Sequence, residues 1–240
     1  MVYTGNTMDS RKQQLLRHII EEYISSAQPV GSKRIADERM HEFSGATIRN
    51  EMQELVKEGY IMTPHTSAGR VPTEAGWRHY IEQNITASDV SEHDARELTM
   101  AYGSADEHET QVKQLLKSAA ERTGETMVVA FAPNNVFYTG ISHLFSKPEF
   151  QNHEQVVSLS EVIDHMDDVM SRLHTRIDDD ISVLLGSDNP FGNNCASILT
   201  MAKIGNAAGV IGLLGPMRMD YRRNVAFMKF IKQLLERPKM

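Results

Sequence analysis

Ala46, Asn50, Gln53 and Lys57 share one face of a helical wheel, with Thr47 and Arg49 beside them. These side chains suit the reading of base edges. Asn and Gln make paired hydrogen bonds to adenine, Arg makes them to guanine, and the methyls of Ala and Thr touch thymine. The opposite stripe, Ile48, Met52, Leu55 and Val56, is apolar and turns the helix toward a core. Ser44 stands ahead as an N-cap, and the free N–H groups of the first turn suit a phosphate. Alone, an apolar stripe with a polar back describes a surface helix as well as a DNA reader. The flanking residues decide between them.

Ahead of this helix, Gly31 eases a turn and Ser32 is placed to cap a short helix from Lys33 to about Arg39. His41, Glu42 and Phe43 then make a turn of the length a helix-turn-helix needs. Behind it, Gly59 suits the residue after a helix end. Tyr60-Ile61-Met62 reads as a strand and Val71 as the start of its return, around a polar loop at residues 63–69. Arg70 is the only formal charge from Tyr60 to Thr73, so this wing approaches a phosphate backbone or minor groove without repulsion. Thr73 caps a helix carrying Trp77, Tyr80 and Ile81 on one stripe. The candidate DNA contacts are therefore Ser32 and Ser44 at the helix starts, Ala46, Thr47, Arg49, Asn50, Gln53 and Lys57 on the second helix, and His65, Thr66, Ser67 and Arg70 in the wing. For His65, a plain loop residue is the competing reading.

A helix over residues 10–26, with Leu15, Leu16, Ile19, Ile20, Tyr23 and Ile24 at helical spacing, completes this α+β reader. The expected organisation is a flexible tail at 1–9, a winged helix-turn-helix domain at 10–84, a linker and helix at 85–123, and a mixed α/β regulatory and dimerisation domain at 124–240. Two charged helices fall in the third segment. The thin stripe of Val112, Leu115, Leu116 and Ala119 there suits a second chain or the following domain, with a solvated linker helix as the alternative. In the last segment, residues 127–132, 136–141, 181–185, 197–202 and 208–214 read as strands, and 159–177 and 221–235 as amphipathic helices.

Charge leaves the reader close to neutral. Residues 1–84 hold ten Lys/Arg and eleven Asp/Glu, 85–123 four and eight, and 124–240 eleven and thirteen, within a net charge of −7 over 240 residues. DNA affinity must then come from local placement of Arg49, Lys57, Arg70 and Arg78, doubled by dimerisation. That points to a specific regulator rather than a coater of DNA. One cysteine, Cys195, excludes an internal disulfide and fits a reducing compartment. No apolar run approaches the roughly 18–20 residues of a membrane span, and residues 1–9 lack a signal-peptide core, so a cytoplasmic location is expected.

Catalytic and metal sites are not expected. None of the ten His stands four residues from another, so no helical His pair offers itself for zinc. Asp178-Asp179-Asp180 reads as a solvated turn before a strand, ahead of a divalent-ion site. Gly205, Gly209, Gly212 and Gly215 lack the Gly-Lys-Ser/Thr ending of a phosphate loop and lie in a strand pattern. No cofactor is called for.

Pro29-Val30-Gly31-Ser32, Ser44-Gly45-Ala46-Thr47-Ile48-Arg49-Asn50-Glu51-Met52 and Pro64-His65-Thr66-Ser67-Ala68-Gly69-Arg70-Val71-Pro72-Thr73 together resemble the heat-inducible transcription repressor HrcA family. Phe145-Ser146-Lys147-Pro148-Glu149-Phe150, Gly186 to Pro190, and Gly209-Val210-Ile211-Gly212 through Gly215-Pro216-Met217-Arg218-Met219-Asp220-Tyr221 resemble that family's GAF-like domain. The resemblance implies a repressor of chaperone operons that binds an inverted-repeat operator as a homodimer and releases it on heat stress. It implies a chaperonin as a regulatory partner. Members of the family are longer by roughly a hundred residues and carry an inserted dimerisation domain within the GAF-like part. Here residues 127–140 lead almost directly into the later motif, so this insertion is expected to be absent. A regulator with the same reader, whose GAF-like domain senses a small molecule, is the alternative.

Overall fold

The computed structural model describes residues 8–64, 69–85, 89–132 and 134–237 and divides into two compact units, Met1–Ile85 and Thr86–Met240. The first unit begins with α1 (Ser10–Ser26), whose Leu15, Leu16, Ile19 and Ile20 are buried. Next come α2 (Ser32–Glu38) and α3 (Gly45–Lys57). Gly59 adopts φ 82° and ends α3 in a left-handed turn. Its N–H bonds the Val56 carbonyl at 3.1 Å and the Tyr60 N–H bonds that of Leu55 at 3.0 Å, the two bonds of a Schellman cap. The chain then runs into β1 (Ile61–Met62) and returns antiparallel as β2 (Val71–Pro72).

One pairing has no counterpart in the sequence reading. Val30 and Arg70 exchange both backbone hydrogen bonds at 2.8 Å, tying the entry of α2 to the base of the wing. A Cβ on Gly69 would lie 2.6 Å from the Val30 carbonyl, so only glycine permits this approach. α4 (Glu74–Asn84) closes the unit, with Trp77 and Tyr80 buried and Trp77 6.3 Å from the Tyr23 ring. Thr73 caps α4 as expected, accepting from the Gly76 N–H at 3.2 Å.

The second unit starts with α5 (Glu92–Tyr102) and α6 (His108–Thr123). Strands β3 (Thr126–Ala132), β4 (Asn135–Thr139), β5 (Ser182–Leu185), β6 (Cys195–Ile204) and β7 (Ala207–Pro216) form one antiparallel sheet in the order β4-β3-β7-β6-β5. Helices cover both faces, so β6 and β7 read as near-continuous apolar runs. On one face lie α7 (Ile141–Ser146), α8 (His153–Asp164) and α9 (Met166–His174). There Leu144, Leu159, Met170 and Leu173 pack with Val128, Ala130, Leu199 and Val210. α5, α6 and α10 (Tyr221–Glu236) cover the other face. The whole is an α+β, GAF-like domain.

One helical reading changes, and of the alternatives for α6 the structure takes the packing onto the following domain. The single helix expected over 159–177 is two, broken at His165 (φ −110°, ψ 23°), where Asp167 and Asp168 suit the positive start of α9. The thin stripe of α6 is fully buried, because Val112, Leu115, Leu116 and Ala119 pack inside this unit. That face is therefore already covered within the chain and is unavailable to a second copy.

Candidate nucleic-acid interface

α3 presents the face its sequence spells out. Ile48, Glu51, Met52 and Leu55 are buried, while Ala46, Arg49, Asn50, Gln53 and Lys57 are exposed and Thr47 is half-buried. Ser44 caps the helix, accepting from the Thr47 N–H at 3.1 Å, and its hydroxyl lies 3.0 Å from that of Thr47. Thr47 thus sits over the first turn, the end a recognition helix turns toward base edges. Asn50 makes no side-chain hydrogen bond among the described residues, and Arg49 and Lys57 take part in no ion pair among them.

The carboxylates around this face are all answered from α1. Glu51 is buried, with 7% of its side chain exposed, and pairs with Arg11, which also lies over the Phe43 ring at 5.3 Å. Lys12 reaches both Glu54 and Glu58 at 2.8 Å. Those hydrogen bonds hold the Lys12 ammonium well above its ordinary pKa, and the same bond holds Glu54 below the usual carboxylate range. Arg11 and Lys12 thus set two positive charges against three carboxylates, and with Arg49 and Lys57, which take part in no ion pair among the described residues, the helix and its partners carry a net charge of about +1. A second buried carboxylate, Glu22, fixes α2 in the same way. Arg34 lies 2.5 Å and Arg39 3.8 Å from it. Both carboxylates escaped the sequence reading. The available signal was an acid three residues after Ile19 and after Ile48, on the inward stripe.

The remaining candidates fare differently. Ser32 is not a cap: α2 begins at Ser32 itself, Gly31 holds the cap position, and no side chain accepts from the first turn. Glycine needs no side-chain bond there because it tolerates the cap geometry. Arg70 stands at the base of the wing, held by its backbone pairing with Val30. Arg78 is tied to Glu74 at 2.7 Å and lies along α4. His65, Thr66 and Ser67 lie outside the described residues.

The second unit holds no catalytic arrangement among its described residues. No group of three or more His, Cys, Asp or Glu stands close enough to hold a metal ion. Cys195 is buried in β6, and burial pushes its thiol up to about 12, far from a thiolate at neutral pH. The expected solvated turn ahead of β5 is in fact pinned by its backbone: the Asp178 and Asp179 carbonyls accept from Met201 N–H at 3.0 Å and Thr200 Oγ1 at 2.8 Å. Gly209, Gly212 and Gly215 lie within β7. Among the described residues no helix is long and apolar enough to cross a membrane.

The family model described as the HrcA protein C-terminal domain matches residues 75–225. The heat-inducible transcription repressor HrcA of Desulforamulus reducens is 26% identical, covering 96% of each chain. That of Lysinibacillus sphaericus is 23% identical over 94% of this chain and 96% of its own. The HrcA of Acetivibrio thermocellus reaches 42% identity, over 47% of this chain and 31% of its own. The D. reducens alignment runs 339 positions against the 240 residues here, so about a hundred of its positions have no counterpart in this chain. A solved structure described as a hypothetical protein at 2.2 Å resolution shares the fold, with a TM-score of 0.74 at 18% identity over 96% of this chain and 98% of its own.

Proposed function

The chain belongs to the HrcA family, and we propose that it is a sequence-specific repressor of heat-shock operons that binds an inverted-repeat operator as a homodimer and leaves it on heat stress. Residues 10–84 act as the reader and 124–240 as the regulatory and dimerising part, in the cytoplasm. The observation that carries this reading is α3. Its outer face presents Ala46, Arg49, Asn50, Gln53 and Lys57, and Arg11 and Lys12 of α1 pair with its carboxylates. The relatives' printed name, heat-inducible transcription repressor, supports the target and the trigger. Two readers on one inverted repeat make the second contact intramolecular, which raises affinity without new contacts. A chaperonin that binds the DNA-competent state preferentially would tighten repression by the same linkage.

The test is binding to the promoter regions of chaperone operons against scrambled duplexes of equal length, with and without chaperonin and across temperature. Equal affinity for promoter and scrambled DNA overturns the reading.

A second reading has one observation in its favour. A cleft of about 320 Å³ opens in the second unit, with Phe150, Leu159 and Phe191 below and Asn152, Gln155 and Asn194 around it. That mixture of apolar floor and hydrogen-bonding rim suits a small ligand and would make this a ligand-responsive regulator. A melting shift of the whole chain with a small-molecule panel, coupled to a change in operator affinity, would favour it over heat control.

A further inference from the structure

The sheet of the second unit has two edges, and the chain treats them differently. β5 is four residues long, follows Asp178-Asp179-Asp180 and runs into Asp188. A short edge flanked by charge repels a second sheet. β4 is Asn135-Val136-Phe137-Tyr138-Thr139, without a charge or a proline, and four of its five residues are β-branched or aromatic strand formers. It pairs with β3 alone, and among the described residues its outer side has no backbone partner. Tyr138 is 39% exposed there. The charges that reach this edge cancel one another. Glu109 and Lys113 pair at 2.6 Å, Asn135 Nδ2 donates to Glu109 at 3.5 Å, and Lys113 Nζ lies over the Phe137 ring at 5.6 Å.

We propose that β4 is a docking edge for a second copy of this chain, the two β4 strands pairing antiparallel across a two-fold axis so that two sheets become one. An antiparallel edge meeting its own copy satisfies the symmetry of an isologous contact, in which each residue sees its partner's equivalent surface. The strand brings no like charge onto itself. Each copy gains backbone hydrogen bonds that the free edge leaves to water. The inference rests on the dimeric repressor reading and supplies its interface.

The test uses the full chain. Sedimentation velocity over a wide concentration range compares wild type with Asn135→Lys/Tyr138→Lys, a pair of exposed positions on β4, with the variant's fold checked by its circular dichroism spectrum. Like charges placed across the two-fold raise the dimer dissociation constant by about tenfold or more. Hydrogen exchange of the wild type is read alongside, so the result does not depend on the variant folding. The outward amides of residues 135–139 exchange more slowly at dimer than at monomer concentrations. A variant dimer as tight as wild type, unchanged exchange of those amides, or a chain monomeric throughout overturns the interface. Operator binding is measured on the same samples. A wild type that dimerises through β4 yet does not distinguish the operator sinks the repressor reading and leaves the interface standing. A dimer that grips the operator through another surface does the reverse.

Discussion

Asn50→Ala separates reading from folding, because its two effects have opposite signs. Asn50 is exposed in the middle of α3 and its side chain bonds nothing among the described residues, so the substitution removes no contact that holds the fold. Alanine is the better helix former by roughly 0.5–0.7 kcal/mol. In a unit of this size that gain raises the melting temperature by about 2–5 °C. Binding moves the other way. A bidentate contact to a base is worth about 1–3 kcal/mol, and a two-fold operator engages it twice. The loss on the operator is then about 2–6 kcal/mol, roughly 30-fold to more than 10⁴-fold in affinity. The substitution changes no charge, so binding to scrambled DNA and the log–log salt slope stay as they were. Anisotropy titrations of labelled operator and scrambled duplex at several salt concentrations, with melting curves of the same preparations, give every quantity. An operator affinity within twofold of wild type in a protein that melts at least as high refutes the assignment of Asn50 as a base reader.

The other predictions concern charge. Arg70→Ala weakens binding and flattens the log–log salt slope by about one unit per half-site, as loss of one phosphate contact requires; an identical slope places the wing off the DNA. Lys12→Met leaves Glu54 and Glu58 uncompensated beside the reading face. Affinity for operator and scrambled DNA then falls together, by about threefold to tenfold at low salt, and the loss fades as salt rises; a loss confined to the operator would show that the effect is not electrostatic. Glu125 is buried, and burial raises its carboxyl from 4.5 to about 7 against the pull of Lys147 at 3.3 Å. A folded pKa above the unfolded one means that its stabilising share is complete below pH 4.5 and is lost as pH rises through 7, on the order of 3 kcal/mol. Glu125→Gln should therefore melt progressively higher than wild type between pH 5 and pH 8, and a gap that stays constant or closes refutes it.

How much of this was legible in the sequence depends on where each group finds its partner. The exposed face of α3 follows from helix phase alone, so Ala46, Arg49, Asn50, Gln53 and Lys57 stand where a wheel puts them, and Ser44, Gly59 and Thr73 act through bonds to residues close by in sequence. Buried polar groups obey a different rule. Glu22 and Glu51 sit on inward stripes where a carboxylate looks like a fault, and only Arg34 and Arg11, arriving from other helices, make those positions tolerable. No local window contains both members of such a pair. The single-residue bridge of Val30 to Arg70 was hidden for the same reason. In the second unit two of the strings that carry the family resemblance, 145–150 and 215–221, are far apart in sequence, yet they meet through Arg218 and Glu149. Arg218 donates to Glu149 at 2.5 Å, Lys147 reaches Glu125, and the Tyr221 hydroxyl donates to the Met217 carbonyl at 2.7 Å. The Arg218–Glu149 pair clamps the turn after β7 to the segment after α7. Asn50, which nothing inside the molecule requires, and Glu125, which only its neighbours make tolerable, are therefore opposite tests of one principle. Substituting the first should weaken operator binding while the melting temperature rises, and substituting the second should show in the melting curve alone.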